Sequence, residues 1–256
     1  MGELRTEANS IAFDSSHSKA RTLWLSYQPI IVPHTGQLIG LEALLRDEAH
    51  PDSCPTDFLE AVRQADRMEA LGSAIRTSIA ADLPALPDQV AVYVNLEPED
   101  LQGEALFAFD EPLAPYADRI VLELTERTKM SNVDELGQRV AELRSRNFRV
   151  ALDDLGAGHN GLAVLTEIEL DIVKLDMALV RNVDRFRAKQ ILVRFLIEFC
   201  HENNMQCLAE GIESQSEHDW LIQQTIDLAQ GFYYGRALPV DETPSTFARP
   251  YHRRTG

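Results

Sequence analysis

The sequence predicts an α/β protein whose parallel strands close into a barrel. Short apolar runs rich in β-branched residues alternate with helical patterns, which is typical of buried parallel strands. Seven short polar motifs stand nearly all at the ends of such runs, and from Asn95 onward they recur at intervals of 20 to 36 residues, enough for one βα unit each. Functional residues at many strand ends favour a barrel over an open doubly wound sheet, which gathers its ligands at one switch point.

Length and composition agree with one large domain. The chain has 256 residues, of which 45% are hydrophobic, and no linker-like segment divides it. We expect residues 1–22 to form a loose arm or linker stub, residues 23–240 the barrel domain, and residues 241–256 a polar tail. No apolar run is long enough for a transmembrane helix, and the start of the chain lacks an apolar signal core. The expected location is therefore cytoplasmic, with Cys54, Cys200 and Cys207 as reduced thiols.

The net charge of −17 excludes some classes of partner. It argues against general affinity for a nucleic-acid polymer or for an anionic membrane, and no membrane insertion is expected. It does not exclude an anionic ligand, because a divalent cation held by clustered carboxylates reverses the local field.

The predicted elements begin with a hairpin. Residues 25–32 and 37–44 are strand-like and are joined by a short, turn-rich segment. Later strand-like runs are residues 90–94, 120–122, 150–152, 172–173 and 207–209. Three apolar stripes have helical spacing and are interpreted as core-facing, although the third is apolar enough to be a dimer contact as well. The stripes are Phe58, Leu59, Val62, Ala65 and Met68; Val133, Leu136, Val140 and Leu143; and Ile191, Leu192, Phe195, Leu196 and Phe199.

The polar motifs supply the ligands that hard cations prefer. Mg²⁺ takes carboxylate and amide oxygens and water, and Glu42, Asn95, Glu123 and Asp153 offer that set for one ion. Beside Asp153, Asp154 can turn to a second ion, which suits two ions about 3.5–4 Å apart. Two such ions can activate a water and stabilise the leaving oxygen of a phosphodiester.

Lys174 and Glu210 are the candidates for proton handling. Lys174 follows an apolar pair inside a predicted buried strand, where an unpaired lysine is costly. Either Asp176 or Glu126 neutralises it as part of the barrel core, or it holds and polarises the attacking water. Glu210 is a candidate general base or a ligand of the second metal.

Several other hydrolytic classes lack their motifs in this chain. The histidines are scattered, without the spacing of a zinc hydrolase. No Gly-x-Ser-x-Gly elbow and no Gly-x-x-x-x-Gly-Lys-Ser/Thr loop occurs.

The order of the motifs resembles the EAL domain family, which comprises Mg²⁺- or Mn²⁺-dependent bacterial phosphodiesterases that open cyclic di-GMP to linear pGpG. The likeness covers about residues 25–240. The matching motifs are Tyr27-Gln28-Pro29-Ile30, Glu42-Ala43-Leu44-Leu45-Arg46, Val94-Asn95-Leu96, Leu122-Glu123-Leu124-Thr125-Glu126, Ala151-Leu152-Asp153-Asp154, Lys174-Leu175-Asp176, Ala209-Glu210-Gly211-Ile212-Glu213 and Gln230-Gly231.

The resemblance implies a modified TIM (β/α)8 barrel with one antiparallel strand, a homodimer, two bound ions and a fused or separate sensor domain. It assigns Glu42, Asn95, Glu123, Asp153 and Asp154 to metal binding, with Glu210 serving the second ion or its water. It further implies that Lys174 orients the nucleophilic water and that Glu126 holds the loop after Asp154. Substrate contacts are assigned to Arg46, Gln28, Glu213 and Gln230.

Two other functions compete with the phosphodiesterase. A cyclic di-GMP receptor that signals through a partner is one, but receptors of this kind typically lose metal ligands, and this chain keeps the full set. A Mg²⁺-dependent lyase or isomerase of the enolase type is the other, and the motif order disfavours it. The loop at residues 155–161 departs from the family pattern because it keeps glycines but lacks the usual aromatic residue and serines.

Overall fold

A computed structural model describes residues 10–13, 21–48, 55–125, 133–157 and 161–243. The strands of this part of the chain are β1 (Ser10–Phe13), β2 (Arg21–Val32), β3 (Gln37–Asp47), β4 (Ala91–Leu96), β5 (Ile120–Thr125), β6 (Arg149–Leu155), β7 (Ile172–Leu175), β8 (Gln206–Ala209), β9 (Leu228–Gln230) and β10 (Leu238–Pro239). The helices are α1 (Thr56–Gln64), α2 (Met68–Asp82), α3 (Pro98–Gln102), α4 (Val133–Ser145), α5 (Gly161–Glu167), α6 (Met177–Val180), α7 (Arg187–Glu202) and α8 (Gln215–Gln223).

Strands β2 to β9 form a closed barrel in sequence order. β2 runs antiparallel to both of its barrel neighbours, β3 and β9, and every other neighbouring pair is parallel. The predicted (β/α)8 barrel with one antiparallel strand is thereby confirmed. The predicted hairpin is the β2–β3 pair, which extends beyond the barrel and also pairs with β1 and β10.

The barrel encloses one apolar layer and is surrounded by another. The inner layer is Ile30, Ala91, Tyr93, Val121, Ala151, Ile172, Leu208 and Leu228. Residues between these along the strands, such as Leu122 and Leu152, pack outward against the helices. A Cβ atom added at Gly40 would lie 2.6 Å from Cε2 of Tyr93. Only glycine at this position avoids a clash with the Tyr93 ring.

The helical stripes agree with the structure in part. The second stripe lies on α4, with Leu136, Val140 and Leu143 buried. The first stripe spans two helices, because the chain turns at Asp66, whose φ is +55°.

The third stripe lies on α7, and its interpretation as a core face is wrong for Ile191, Leu192 and Phe195, which are exposed. The buried face of α7 instead carries Val193, Leu196, Ile197 and Cys200. A helix advances about 100° per residue, so these two sets lie on different faces.

Three further observations bear on the sequence-based expectations. Cys200 and Cys207 are buried free thiols, whereas Cys54 lies outside the described residues. No helix in the described part of the chain has both the length and the apolar character needed to cross a membrane. The domain boundaries at residues 22 and 240 stay a prediction, and β1 within the expected arm pairs with β2.

Candidate metal and substrate site

The alternation of side chains along the barrel strands positions the candidate site. In the parallel strands, each of several inner-layer residues is followed two positions later by a predicted site residue, as Val121 is by Glu123 and Ile172 by Lys174. Because the period of a strand is two, these polar side chains lie directly above the apolar layer, at the carboxyl ends of the strands.

Lys174 lies at the centre of this layer and is fully buried. Its Nζ is 2.6 Å from Oε1 of Glu123, 2.8 Å from Oε1 of Glu210, 2.9 Å from Oδ1 of Asp153 and 3.7 Å from Oε1 of Glu42. These four carboxylates, from β3, β5, β6 and the end of β8, neutralise the lysine.

The neutralising partners differ from the two acids that the sequence predicts for Lys174. The carboxylate of Asp176 accepts a hydrogen bond from the backbone N–H of Ala178 at 2.7 Å and caps α6. The prediction that Asp176 neutralises Lys174 is therefore wrong, because the Asp176 carboxylate binds the N-terminus of α6 instead. Glu126 lies outside the described residues.

Burial and mutual repulsion shift the pKa values in this cluster. Burial raises the pKa of Glu210 to about 8, against the pull of Lys174 and with the support of the neighbouring Asp153 and Glu42. Burial also raises the pKa of Glu123 well above its usual range. For Lys174 burial alone lowers the pKa, but the surrounding carboxylates, Asp153 first, outweigh it and raise the pKa well above the ordinary value.

Amide side chains hold Glu42 from the other side. Nε2 of Gln230 donates to Oε2 of Glu42 at 2.5 Å and to Oε1 of Gln28 at 3.2 Å, and Nδ2 of Asn95 donates to Oε1 of Glu42 at 3.3 Å. The antiparallel strand makes this possible, since Gln28 on β2 is the cross-strand partner of Glu42 on β3. Both carboxylate oxygens of Glu42 are thus oriented.

Asp153, Asp154 and Glu210 form a second grouping, in which one ligand oxygen of each lies within 4.8 Å of the others. Successive residues of a regular strand point to opposite faces, which would separate the two aspartates. The pairing of β6 with β7 is irregular between Leu152 and Leu155, and Asp154 has a left-handed backbone with φ of +59°. This irregularity brings both aspartates to the same site.

The chemistry of the site fits a hard divalent cation. Oε2 of Glu123 is buried and accepts no hydrogen bond from any described residue. Buried carboxylate oxygens without donors are costly, and one ammonium cannot balance the charge of the acids around it. Oxygen donors in this number are the ligand set that Mg²⁺ and Mn²⁺ prefer.

The remaining predicted residues lie around this centre. Arg46 on β3 lines a cavity together with Glu42 and Asp154. Glu213 is instead bound by Arg181, whose Nη1 and Nη2 lie 2.5 and 2.6 Å from its carboxylate oxygens. That pair connects the segment after β8 to the end of α6. The roles assigned to the individual residues stay predictions.

The cavity beside the site was not foreseen from the sequence. It has a volume of about 430 Å³ and extends from Glu42 and Asn95 to α2, where the buried side chain of Arg76 lines it. A signal was present, since Arg76 occupies the apolar face of α2 together with Leu71 and Ile79. An arginine on the buried face of a helix indicates a partner elsewhere in the chain.

Comparison with known proteins gives consistent matches. The chain is 28% identical over 244 residues to a probable cyclic di-GMP phosphodiesterase, PdeN, of Escherichia coli strain K12, covering 91% of this chain and 47% of that relative. It is 30% identical over 254 residues to an uncharacterized protein of Azorhizobium caulinodans, covering 93% of this chain and 34% of that relative. The chain thus spans less than half the length of either relative.

A solved structure shares the fold. A standalone EAL protein from Vibrio cholerae O395, bound to c-di-GMP, aligns with a TM-score of 0.77 at 26% identity, covering 85% of this chain and 93% of that one. Residues 13–237 match the model of the EAL domain family. From the family match, the reversed strand of the barrel and the acidic cluster above its inner layer, we conclude that this chain belongs to the EAL domain family.

Proposed function

We propose that this chain is a metal-dependent phosphodiesterase that hydrolyses cyclic di-GMP to linear pGpG. The observation that carries the proposal is the ring of carboxylates around Lys174, with a buried oxygen of Glu123 that accepts no hydrogen bond from the described residues. The cyclic di-GMP phosphodiesterase name of the Escherichia coli relative and the c-di-GMP bound to the Vibrio cholerae protein support the choice of substrate.

The proposed metal ligands follow from the donor set. Glu42, Asn95, Glu123 and Asp153 would hold one Mg²⁺ or Mn²⁺, and Asp154 with Glu210 would serve the second. When bound, such ions neutralise charge on the phosphodiester and lower the pKa of water.

The protein side chains would orient the reaction. The three N–H donors of Lys174 face Glu123, Asp153 and Glu210 in this structure. If metal ions took up these carboxylates, a donor of Lys174 would become free to hold a water oxygen in line with the phosphorus atom. Glu210 would accept the proton of that water. The water oxygen forms a new P–O bond, the P–O3′ bond breaks, and the O3′ atom takes up a proton. Arg46, Gln28, Glu213 and Gln230 are the proposed substrate contacts.

The assembly is also a proposal. The apolar face of α7 formed by Ile191, Leu192 and Phe195 is exposed in a highly charged chain, and we propose that a second copy covers it. A sensor domain, fused or separate, would then control the activity, and the expected location of both is the cytoplasm.

The experiment is to incubate the protein with cyclic di-GMP in Mg²⁺, in Mn²⁺ or in chelator, and to separate the nucleotides by chromatography. The expected result is pGpG that accumulates only with metal. Asp88→Asn, which changes an exposed carboxylate far from the site, is the matched control and should keep full turnover. Cyclic di-GMP that binds but stays intact under all conditions would contradict the enzyme and support a receptor.

A further inference from the structure

Another cavity opens at the amino end of the barrel, opposite the metal site. Residues at the starts of the strands line it, among them Ala91 on β4, Arg149 on β6, Gln206 on β8 and Leu228 on β9. Its volume of about 300 Å³ lies in the range of small-molecule sites. It shares no lining residue with the cavity beside Glu42, so it is separate from the proposed metal and substrate site.

The alternation of side chains places Arg149 in the mouth of the barrel. Arg149 stands two residues before Ala151 of the inner apolar layer, and Ala151 stands two residues before Asp153 of the metal site. Because the period of a strand is two, all three point into the barrel, with Arg149 on the amino side of the layer and Asp153 on its carboxyl side. Gln206 stands in the same relation to the inner-layer residue Leu208 on β8. The pattern that builds the acidic cluster at one end therefore puts a guanidinium and an amide at the other.

Arg149 has no partner within the described part of the chain. It is half-buried, its guanidinium nitrogens keep contact with solvent, and no described residue forms a hydrogen bond or an ion pair with them. The chain has 41 acidic residues against 24 lysines and arginines, and arginines such as Arg76, Arg144 and Arg181 do bind carboxylates. Arg149 can therefore offer two parallel N–H donors to a carboxylate that enters the cavity.

Arg119 supplies a second cation, and its position is fixed. Its Nη2 donates to the carbonyl oxygens of Pro87 at 2.9 Å and of Val90 at 3.5 Å, and its side chain is 18% exposed. The two aspartates of the lining, Asp88 and Asp118, are exposed at the rim, and Asp88 lies 3.8 Å from Nη1 of Arg119. Carboxylates at the rim repel a dianion more than a monoanion. The cavity therefore favours a ligand with a single negative charge.

We propose that this cavity is a binding site for a small organic carboxylate, independent of the proposed phosphodiesterase activity. The carboxylate accepts two N–H donors of Arg149, and the amide of Gln206 provides a further donor. The floor of the cavity is apolar, since Ala91 and Leu228 belong to the inner layer and Ile39 packs against it. A flat apolar body such as an aromatic ring covers this floor and removes it from water.

The test titrates the full chain, in buffer with Mg²⁺, with benzoate and with its neutral analogue benzamide. Chemical shifts of the ¹⁵N-labelled protein report both the affinity and the place of binding. We expect saturable binding of benzoate with a dissociation constant of about 1 mM, and shift changes centred on the amides of Arg149 and Gln206. Benzamide should bind about tenfold more weakly, because it lacks the charge that the guanidinium binds. The absence of saturation at about 10 mM benzoate would overturn the proposal.

Variants of Arg149 separate this site from any other. Arg149→Met removes the charge and should weaken benzoate binding about tenfold, while the Tm stays the same because no buried ion pair is broken. Arg149→Lys keeps the charge without the planar fork and should restore part of the affinity.

The matched control is Arg185→Met, which removes a cation that is 72% exposed outside the cavity and should keep full affinity. Benzoate that binds Arg149→Met as tightly as the unmodified protein lies elsewhere, for example on a metal ion, and would overturn the proposal. The titration needs no turnover, so a failure to form pGpG would contradict the phosphodiesterase and leave this result standing.

Discussion

The ammonium of Lys174 lies 2.6 Å from Oε1 of Glu123, and neither side chain is exposed to solvent. Asp153 and Glu210 approach the same ammonium within 3 Å, so a single positive charge stands among several acids. The stability of the metal-free protein therefore depends on Lys174, and metal should relieve the remaining repulsion.

Lys174→Met should destabilise the metal-free protein. Removing one partner of a buried ion pair costs about 3–5 kcal/mol, because the carboxylates stay buried without their cation. Thermal unfolding in chelator is the measurement, with Lys189→Met on a partly exposed lysine as the control. The loss should shrink at acidic pH as the carboxylates become protonated. An equal Tm for the Lys174 variant and the unmodified protein in chelator would argue against a charge-balancing lysine.

Mg²⁺ or Mn²⁺ should raise the Tm of the unmodified protein. An ion that binds only the folded state adds about 2.7 kcal/mol at a hundredfold excess over its Kd. Asp153→Asn should remove most of this shift, because it neutralises a carboxylate at the centre of both ligand groupings. Differential scanning fluorimetry against metal concentration measures the effect. The ligand assignment fails if millimolar metal leaves the Tm where it was.

Glu42→Ala should abolish turnover and leave the fold intact. Glu42 accepts hydrogen bonds from Gln230 and Asn95 but is not in the apolar layer, so its loss removes a metal ligand without opening the core. Turnover is followed as pGpG formation, and circular dichroism reports the fold. A variant that hydrolyses cyclic di-GMP at the original rate would exclude Glu42 as a ligand.

Phe195→Glu should convert a dimer to a monomer. Phe195 is 57% exposed in the apolar face of α7, and a charge there would be desolvated in a self-complementary contact. Phe109→Glu is the matched control, because Phe109 is fully exposed on another part of the surface. Light scattering coupled to gel filtration gives the masses. A monomeric unmodified protein, or a dimer that survives Phe195→Glu, would contradict the proposed contact.

Glu217→Gln should lower stability at neutral pH by about 1 kcal/mol, as expected for a lost helix cap. Burial by itself raises the pKa of Glu217, but N–H donors from Asn182, Glu213 and Ser214 outweigh it and lower the pKa below the usual value. A carboxylate with a lowered folded pKa stabilises the fold above its unfolded pKa, and this contribution disappears as the pH falls.

Urea unfolding of the Glu217 variant should therefore differ from the unmodified protein at pH 7 and converge with it below about pH 4. Ser216→Ala, on a neighbouring exposed residue of α8, should have little effect at either pH. A difference that persists unchanged in acid would mean that the carboxylate charge is not responsible.

Much of the fold follows from the sequence because local patterns specify it. The apolar runs define the parallel strands, and the turn-rich segment at residues 33–36 defines the hairpin of β2 and β3. Side chains alternate along a strand, so a residue two positions after an inner-layer residue points to the same side of the barrel. Glu123 and Lys174 stand in this position, and the sequence therefore places them at a common site. The antiparallel strand of the barrel is predicted only by the resemblance of the motif order to the EAL domain family, because no local sequence pattern indicates it.

Tertiary structure decided the remaining features. Only barrel closure shows that four carboxylates, rather than Asp176, neutralise Lys174. Only packing shows which face of α7 is buried. The left-handed backbone of Asp154 and the ion partners of Arg76 likewise depend on contacts between segments far apart in the chain. Sequence periodicity encodes which residues share a face, whereas the electrostatic environment of a buried charge depends on every segment that folds around it.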